Sequence, residues 1–352
     1  MTTERNHTFD FLCGIAILRM LLNHITSMCG LGRMEWWQSV YFWSYFLLCF
    51  FFFKSGYFNK SLRGDTGQFL LGKAGALLVP YVTWGAIGCA NFWLMASLAQ
   101  LRYHHYIETV TPDHIWLTSG VVGNAPLWFL MSFFVTYVVM RFVSRCRWLQ
   151  PLTVLLPVVS WWLYTNGNPL WLSLNNIFMC IFLFQLGHWW RQLSARLGRG
   201  WLFVLSAVLL GLFAALNVLC HGEYNVSQNL WQGNPLVVCL LLSLVLCGLS
   251  GVLLAARLPR VPIINYVGQH SMVYFVAHYP MLVFYRYVHI IFGHSLQGRW
   301  DDFILLLIVV PIVCSWLVPY VERVPWLSGR FPDDYLQRLS ARCRRLTGKS
   351  LC

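Results

Sequence analysis

The sequence predicts an all-α, polytopic integral membrane protein with about ten transmembrane helices and both termini in the cytoplasm. Three observations predict it. Hydrophobic residues make up 58% of the 352-residue chain and charged residues only 11%, against roughly 45–50% and about 25% in soluble domains. So few charges could not cover the surface of a water-soluble protein of this size, and the same numbers exclude disorder, collagen and coiled coil. Apolar segments recur with short polar breaks, at the length of about 20 residues that a helical crossing needs. The breaks, finally, alternate in positive charge.

In chain order the apolar segments fall at about 9–29, 37–58, 70–96, 127–143, 152–164, 176–190, 201–219, 236–255, 264–288 and 303–321. The first follows a short polar stretch that lacks a small-residue cleavage site, which predicts a retained anchor. The third is long enough to tilt or to bend at Pro80, and the fifth and sixth are short. No linker or change of composition marks a separate soluble unit. The chain therefore reads as one transmembrane domain, 1–325, with a basic cytoplasmic tail, 326–352. No internal repeat is visible, which counts against a transporter made of inverted halves.

The net charge of +13 comes from 25 Lys and Arg against 12 Asp and Glu. In a soluble domain that surplus would suggest nucleic acid. Here its placement explains it. Twenty basic residues fall at one set of segment ends, in the groups Arg5, Lys54–Arg63, Lys73, Arg141–Arg147, Arg191–Arg199, Arg257–Arg260 and the tail from Arg323 to Lys349. Only Arg33, Arg102, Arg286 and Arg299 fall at the other, and Arg19 lies inside a segment. The positive-inside rule then puts both termini in the cytoplasm and makes the helix number even. The tail is expected to face anionic membrane lipid, with no nucleic-acid partner. The cysteines are scattered without the spacing of a zinc site or a disulfide framework, and read as small packing residues.

Ionisable groups at membrane depth are costly and are functional candidates by default. The first segment is richest, with Asp10, Arg19, Asn23 and His24. At 100° per residue Asp10, Cys13 and His24 lie on one face, along about 21 Å of helix. Arg19 is about 140° from His24, which predicts that the two do not share a face. A buried imidazole without an anionic partner tends to stay neutral, which suits a general base. The other reading of His24 is a histidine hydrogen-bonded within the bundle. Lys54, Lys73, Gln185, His188, His270 and His278 complete the intramembrane polar set, with His188 beside Trp189 and Trp190 as an interfacial group. Asp301 and Asp302 are expected to form a solvated outer rim. The long outer loop from Arg102 carries His104, His105, Glu108 and Asp113 and reads as a solvated cap or an acceptor-binding element.

Several motifs then agree. Asp10-Phe11-Leu12-Cys13-Gly14-Ile15-Ala16, ending in His24, resembles the first helix of the membrane-bound acyltransferase 3 family, whose pattern is Asp-x-x-Arg/Lys-Gly-Ile-Ala with a later histidine. Phe51-Phe52-Phe53-Lys54-Ser55-Gly56-Tyr57 is similar to its Phe-rich Ser-Gly-Tyr signature. Lys73 through Leu78-Val79-Pro80-Tyr81 is similar to its Leu-x-Pro-Tyr run, and Leu127-Trp128-Phe129-Leu130 to its Trp-Phe-Leu helix start. Gly268-Gln269-His270-Ser271, followed by Tyr274 and His278, resembles its Gly-x-x-Ser…Tyr…His helix. The five motifs occur in the family's order over residues 9–280.

The resemblance implies transfer of an acyl group, acetyl by default, from cytoplasmic acyl-CoA as co-substrate to a hydroxyl of a cell-surface glycan or lipid-linked sugar. No bound cofactor and no metal are implied, and the expected site is the plasma membrane, in a bacterium the inner one. His24 would be the general base. Asp10, Arg19, Lys54, Ser55, Lys73, Trp128, Ser271 and His278 would bind donor or substrate, with Asp10 pairing Lys54 or Lys73 near the donor's phosphates. Two positions depart from the pattern: the family's basic residue eleven before the histidine is Cys13 here, and the arginine often found close to the Leu-x-Pro-Tyr proline is missing, with Ala74, Gly75 and Ala76 in that stretch. Either Lys54 or Lys73 supplies that charge, or the chain is a catalytically degenerate member. The competing reading is a transporter or flippase for a lipid-linked glycan, with Asp10, Arg19 and His24 as a polar path.

Overall fold

The computed structural model describes residues 6–59, 66–99, 120–167, 170–220, 222–257 and 260–332. They are mostly helical. The first helix, α1 (His7–Met28), starts where the Asn6 side chain accepts hydrogen bonds from the Thr8 and Phe9 amides, an N-cap that satisfies two orphan donors. Asp10 lies in the first turn, at the positive end of the helix dipole.

The second apolar run is not one helix. It breaks into α2 (Glu35–Ser44), a 3-10 turn (Tyr45–Leu47) and α3 (Cys49–Tyr57). The long α4 (Thr66–Leu98) contains Pro80. At 1.5 Å per residue it runs about 50 Å, well beyond a hydrocarbon core of about 30 Å, so it must tilt or bend. Next come α5 (Trp128–Val143), the short α6 (Leu149–Leu152) and α7 (Leu156–Thr165), α8 (Ile177–Ser194) and α9 (Arg199–Cys220). A small antiparallel hairpin, β1 (Glu223–Asn225) with β2 (Leu230–Gln232), precedes α10 (Pro235–Ala256). Nothing in the apolar periodicity announces this hairpin. The last apolar runs are α11 (Pro262–Gln269), α12 (Ser271–Ile291), α13 (Trp300–Arg323) and the single turn α14 (Pro325–Ser328). Non-helical backbone at His270 separates α11 from α12.

Six helices among the described residues are long and apolar enough to cross a membrane. They are α1, α4, α5 with the turn before it, α9, α10 and α13. Many large apolar side chains on α9 and α13 face outward, among them Leu219, Ile312 and Trp316. That is what a lipid-facing helix needs, because lipid replaces water as the solvent of its outer face.

Glycines set the tightest helix crossings. A Cβ at Gly268 on α11 would strike the Asp10 carbonyl of α1, and one at Gly14 would strike the Ile264 carbonyl of α11. Gly56 and Gly187 do the same between α3 and α8. With little hydrophobic drive between helices in lipid, close backbone approach over small residues is a principal source of association. Three of these four glycines belong to the motifs read in the sequence, where the reading looked only for chemistry.

The expected solvated rim is corrected in part. Asp302 is buried, with Arg299 Nε 2.8 Å and His289 Nε2 3.5 Å from its carboxylate and the Tyr285 hydroxyl donating to it. Asp301 alone is exposed. Of the tail, α14 packs on α4, with Trp84 Nε1 donating to the Leu327 carbonyl at 2.9 Å. Residues 333–352, and Arg102, His104, His105, Glu108 and Asp113, lie outside the described residues. The ten described cysteines are free thiols.

Candidate active site

The Met28 half of α1 opens onto a cavity of about 680 Å³. Its walls come from distant parts of the chain. Arg19, Asn23 and His24 contribute from α1, Tyr41 and Tyr45 from the broken second segment, Trp128 and Phe129 from the start of α5, Phe275 and Tyr279 from α12, and residues 225–229 from the hairpin turn. Tyr41 and Ser44, near the end of α2, contact Arg19, and Tyr45 opens the 3-10 turn that follows.

His24 is half-buried, between the His278 ring (centroids 5.2 Å apart, tilted) and the Tyr279 ring (5.5 Å, edge-on). Among the described residues no hydrogen-bond partner engages its ring nitrogens. His278 is fully buried and donates from Nδ1 to the Tyr274 carbonyl at 2.9 Å, which leaves Nε2 as an unpaired acceptor. The arrangement fixes the neighbour's tautomer and leaves His24 able to take or give a proton on the cavity side.

Arg19 lines the same cavity as His24. The two residues are on different faces of α1, but the cavity wraps around the arc between them. The Arg19 guanidinium lies over the Tyr41 ring, 4.6 Å from its centroid, and near Trp37 at 5.8 Å. Its Nε donates to Ser44 Oγ at 3.3 Å. Glu223, on the hairpin, faces this group past Tyr41. Burial pushes its carboxyl above the ordinary range, with Tyr41 and Arg19 pulling the other way.

The hairpin wall is pinned by Asn229, which is buried and has a left-handed backbone (φ 51°) that asparagine tolerates better than most residues. Its Oδ1 accepts from Ser160, from the Tyr224 hydroxyl at 3.0 Å and from Trp231 Nε1 at 3.3 Å, while Nδ2 donates to the Ser160 carbonyl at 2.9 Å. Asn176 Nδ2 adds a bond to the Val226 carbonyl at 2.9 Å. On the opposite wall, Asn124 Nδ2 ties residues 120–128 to the Val276 carbonyl of α12 at 3.0 Å. The cavity is therefore built on fixed backbone.

The remaining sequence candidates are elsewhere. Asp10 is buried at the His7 end of α1 and accepts from Gln269 Nε2 at 3.4 Å. Lys54 Nζ donates to Cys13 Sγ at 3.0 Å, which sets a positive charge of α3 beside Cys13 on α1. Lys73 sits over the Tyr137 ring, 3.8 Å from its centroid, and near Phe69. Ser55 is beside Lys54 on α3, and Ser271 opens α12; both are half-buried. His270 Nδ1 contacts Glu322 at 2.7 Å, and Glu322 also pairs Arg330 at 2.8 Å.

Of nine candidates, Arg19, His24 and Trp128 meet at the cavity, with His278 behind His24. Asp10, with Gln269, and Lys54, with Cys13, lie toward the other end of α1. The sequence reading missed Tyr41, Tyr45, Glu223 and the amides of the hairpin turn. The one signal for the hairpin was the polar interruption from Gly222 to Asn234, rich in Asn and Gln.

The acyltransferase 3 family model, described as an acyltransferase domain, matches residues 6–318. No curated protein and no solved structure matches the chain. A match over nearly the whole length, on a helical membrane scaffold that brings the motif histidine to a cavity, places this chain in the acyltransferase 3 family of membrane acyltransferases.

Proposed function

We infer that the protein is a membrane O-acyltransferase that moves an acyl group, acetyl by default, from cytoplasmic acyl-CoA to a hydroxyl of a cell-surface glycan or lipid-linked sugar. It crosses the plasma membrane about ten times with both termini in the cytoplasm. The observation that carries the reading is His24, facing a 680 Å³ cavity with its ring nitrogens unengaged by the described residues and its ring held by His278 and Tyr279.

His24 accepts the hydroxyl proton as the acceptor oxygen attacks the thioester carbonyl. The new C–O bond forms, the C–S bond breaks as the tetrahedral intermediate collapses, and the proton passes to the departing thiolate. Lys54, beside Cys13, is about 16 Å along α1 from His24 at 1.5 Å per residue. The donor would lie lengthwise, with its phosphates met near Lys54 and its thioester at His24. Trp128 and Tyr279 supply flat surfaces and Asn23 and Gln228 supply amides for a sugar.

The test incubates membranes with labelled acetyl-CoA and an extracted acceptor pool. Label should pass to the pool, and His24→Ala should lower the rate by about 10²–10⁴-fold, the range for removing a general base. Transfer that survives the substitution would overturn the role of His24. Movement of a lipid-linked glycan across the membrane without acyl transfer would favour the transporter reading.

A further inference from the structure

Arg19 is the one permanently charged side chain among the described residues lining the cavity. It is only 8% exposed, and its buried Nη2 has no hydrogen-bond partner among the described residues. Its Nε is engaged by the neutral Ser44 hydroxyl, and its flat face by Tyr41. No carboxylate among the described residues forms an ion pair with it. Glu223 acts on it from beyond Tyr41 without reaching that range.

A buried guanidinium with an orphan N–H is expensive inside a membrane bundle, and such charges are kept where something completes them. Guanidinium N–H groups match the paired oxygens of a carboxylate or phosphate. A neutral sugar would need only the amides and rings already present. Arg19 and His24 are five residues apart on α1, about 7.5 Å in rise. Both line one cavity, so a single bound molecule can reach Arg19 with one group and His24 with a hydroxyl.

Resting on the acyltransferase reading above, we propose that Arg19 seats an anionic group, a carboxylate or a phosphate, carried by the acyl acceptor whose hydroxyl reaches His24. The acceptor class is then an acidic sugar or a sugar phosphate. Glu223 competes with the incoming anion for Arg19 and sets how strongly the charge is felt.

The test is a ligand-observed NMR titration of the purified full-length chain in nanodiscs with three probes: a methyl glucoside, a methyl glucuronide and glucose 1-phosphate. At least one charged probe should bind about tenfold or more tighter than the neutral one, the scale of a charge-assisted hydrogen bond. Arg19→Gln should reduce it to the level of the glucoside. Tighter glucuronide binding assigns a carboxylate and tighter glucose 1-phosphate binding a phosphate; either supports the proposal. Equal affinity for all three, or discrimination that persists in Arg19→Gln, would overturn it. Should Arg19→Gln fail to fold, Glu223→Gln decides: it should tighten the charged probe several-fold and leave the glucoside unchanged, and no gain counts against the proposal. Binding needs no acyl transfer, so His24→Ala should keep the discrimination. Discrimination without any transfer in the wild type would refute the acyltransferase reading and leave the anion site standing.

Discussion

The half of α1 around Asp10 and Gly14 is sealed against α11 by glycine crossings, whereas the half around Arg19 and His24 opens onto the cavity. Both halves carry ionisable groups, and the helix is regular throughout. The difference comes from what packs on it. On the sealed half, backbone meets backbone, and Lys54 and Gln269 reach in to Cys13 and Asp10. On the open half, α12, a broken segment, a loop and a hairpin turn stand around the gap. Polar groups are held in place at one end and left available at the other.

The largest test of this contrast is Gly268→Leu. Its side chain would drive α11 off the Asp10 carbonyl, and we expect loss of monodisperse folded protein on size-exclusion chromatography; a wild-type elution profile and melting temperature would mean the crossing is not tight. The same exchange on the open half, Asn23→Leu, should leave folding intact. Next in size is the His24→Ala loss of transfer, about 10²–10⁴-fold, with a normal melting temperature.

A smaller effect should separate the two ends kinetically. Lys54→Met should raise the donor KM by roughly tenfold, the cost of one charge-assisted contact to phosphate, with little change in kcat. Cys13→Arg in that background should recover part of the loss, because it returns the charge to α1. A change confined to kcat, or no recovery, would remove Lys54 from the donor's phosphates.

Asn229→Ala probes the wall of the open end. It strips acceptors from Ser160, Tyr224 and Trp231 and should cost about 1–3 kcal/mol, read as a lower melting temperature. The smallest effect is in pH. Because burial raises the Glu223 carboxyl, it takes up its proton sooner than an exposed carboxylate as pH falls. By linkage its contribution to stability is present below that raised value and lost as pH rises through it. With Glu223 protonated, Arg19 is less screened, so affinity for the glucuronide, whose carboxylate stays ionised there, should rise from neutral into mildly acidic pH. Tyr41, Arg19 and His24 share this environment, so the control is Glu223→Gln, which should flatten the profile; an unchanged profile would exclude Glu223 as its source.

Composition and the spacing of apolar runs determined the class and most helix positions. Residues 9–29 became α1 and 236–255 became α10 almost unchanged, because a membrane requires some 20 apolar residues in a row whatever surrounds them. The motif order picked out His24, since its residue types are local in sequence. Tertiary structure alone decided the rest. That the run 37–58 breaks into two helices around a 3-10 turn is invisible to an apolar pattern, which reads it as continuous. That Lys54 stands beside Cys13, and that Arg19 shares a cavity with His24, depend on how helices distant in sequence pack and how wide a gap they leave. Helical angle fixes where a side chain points, but only the neighbouring elements fix what it faces.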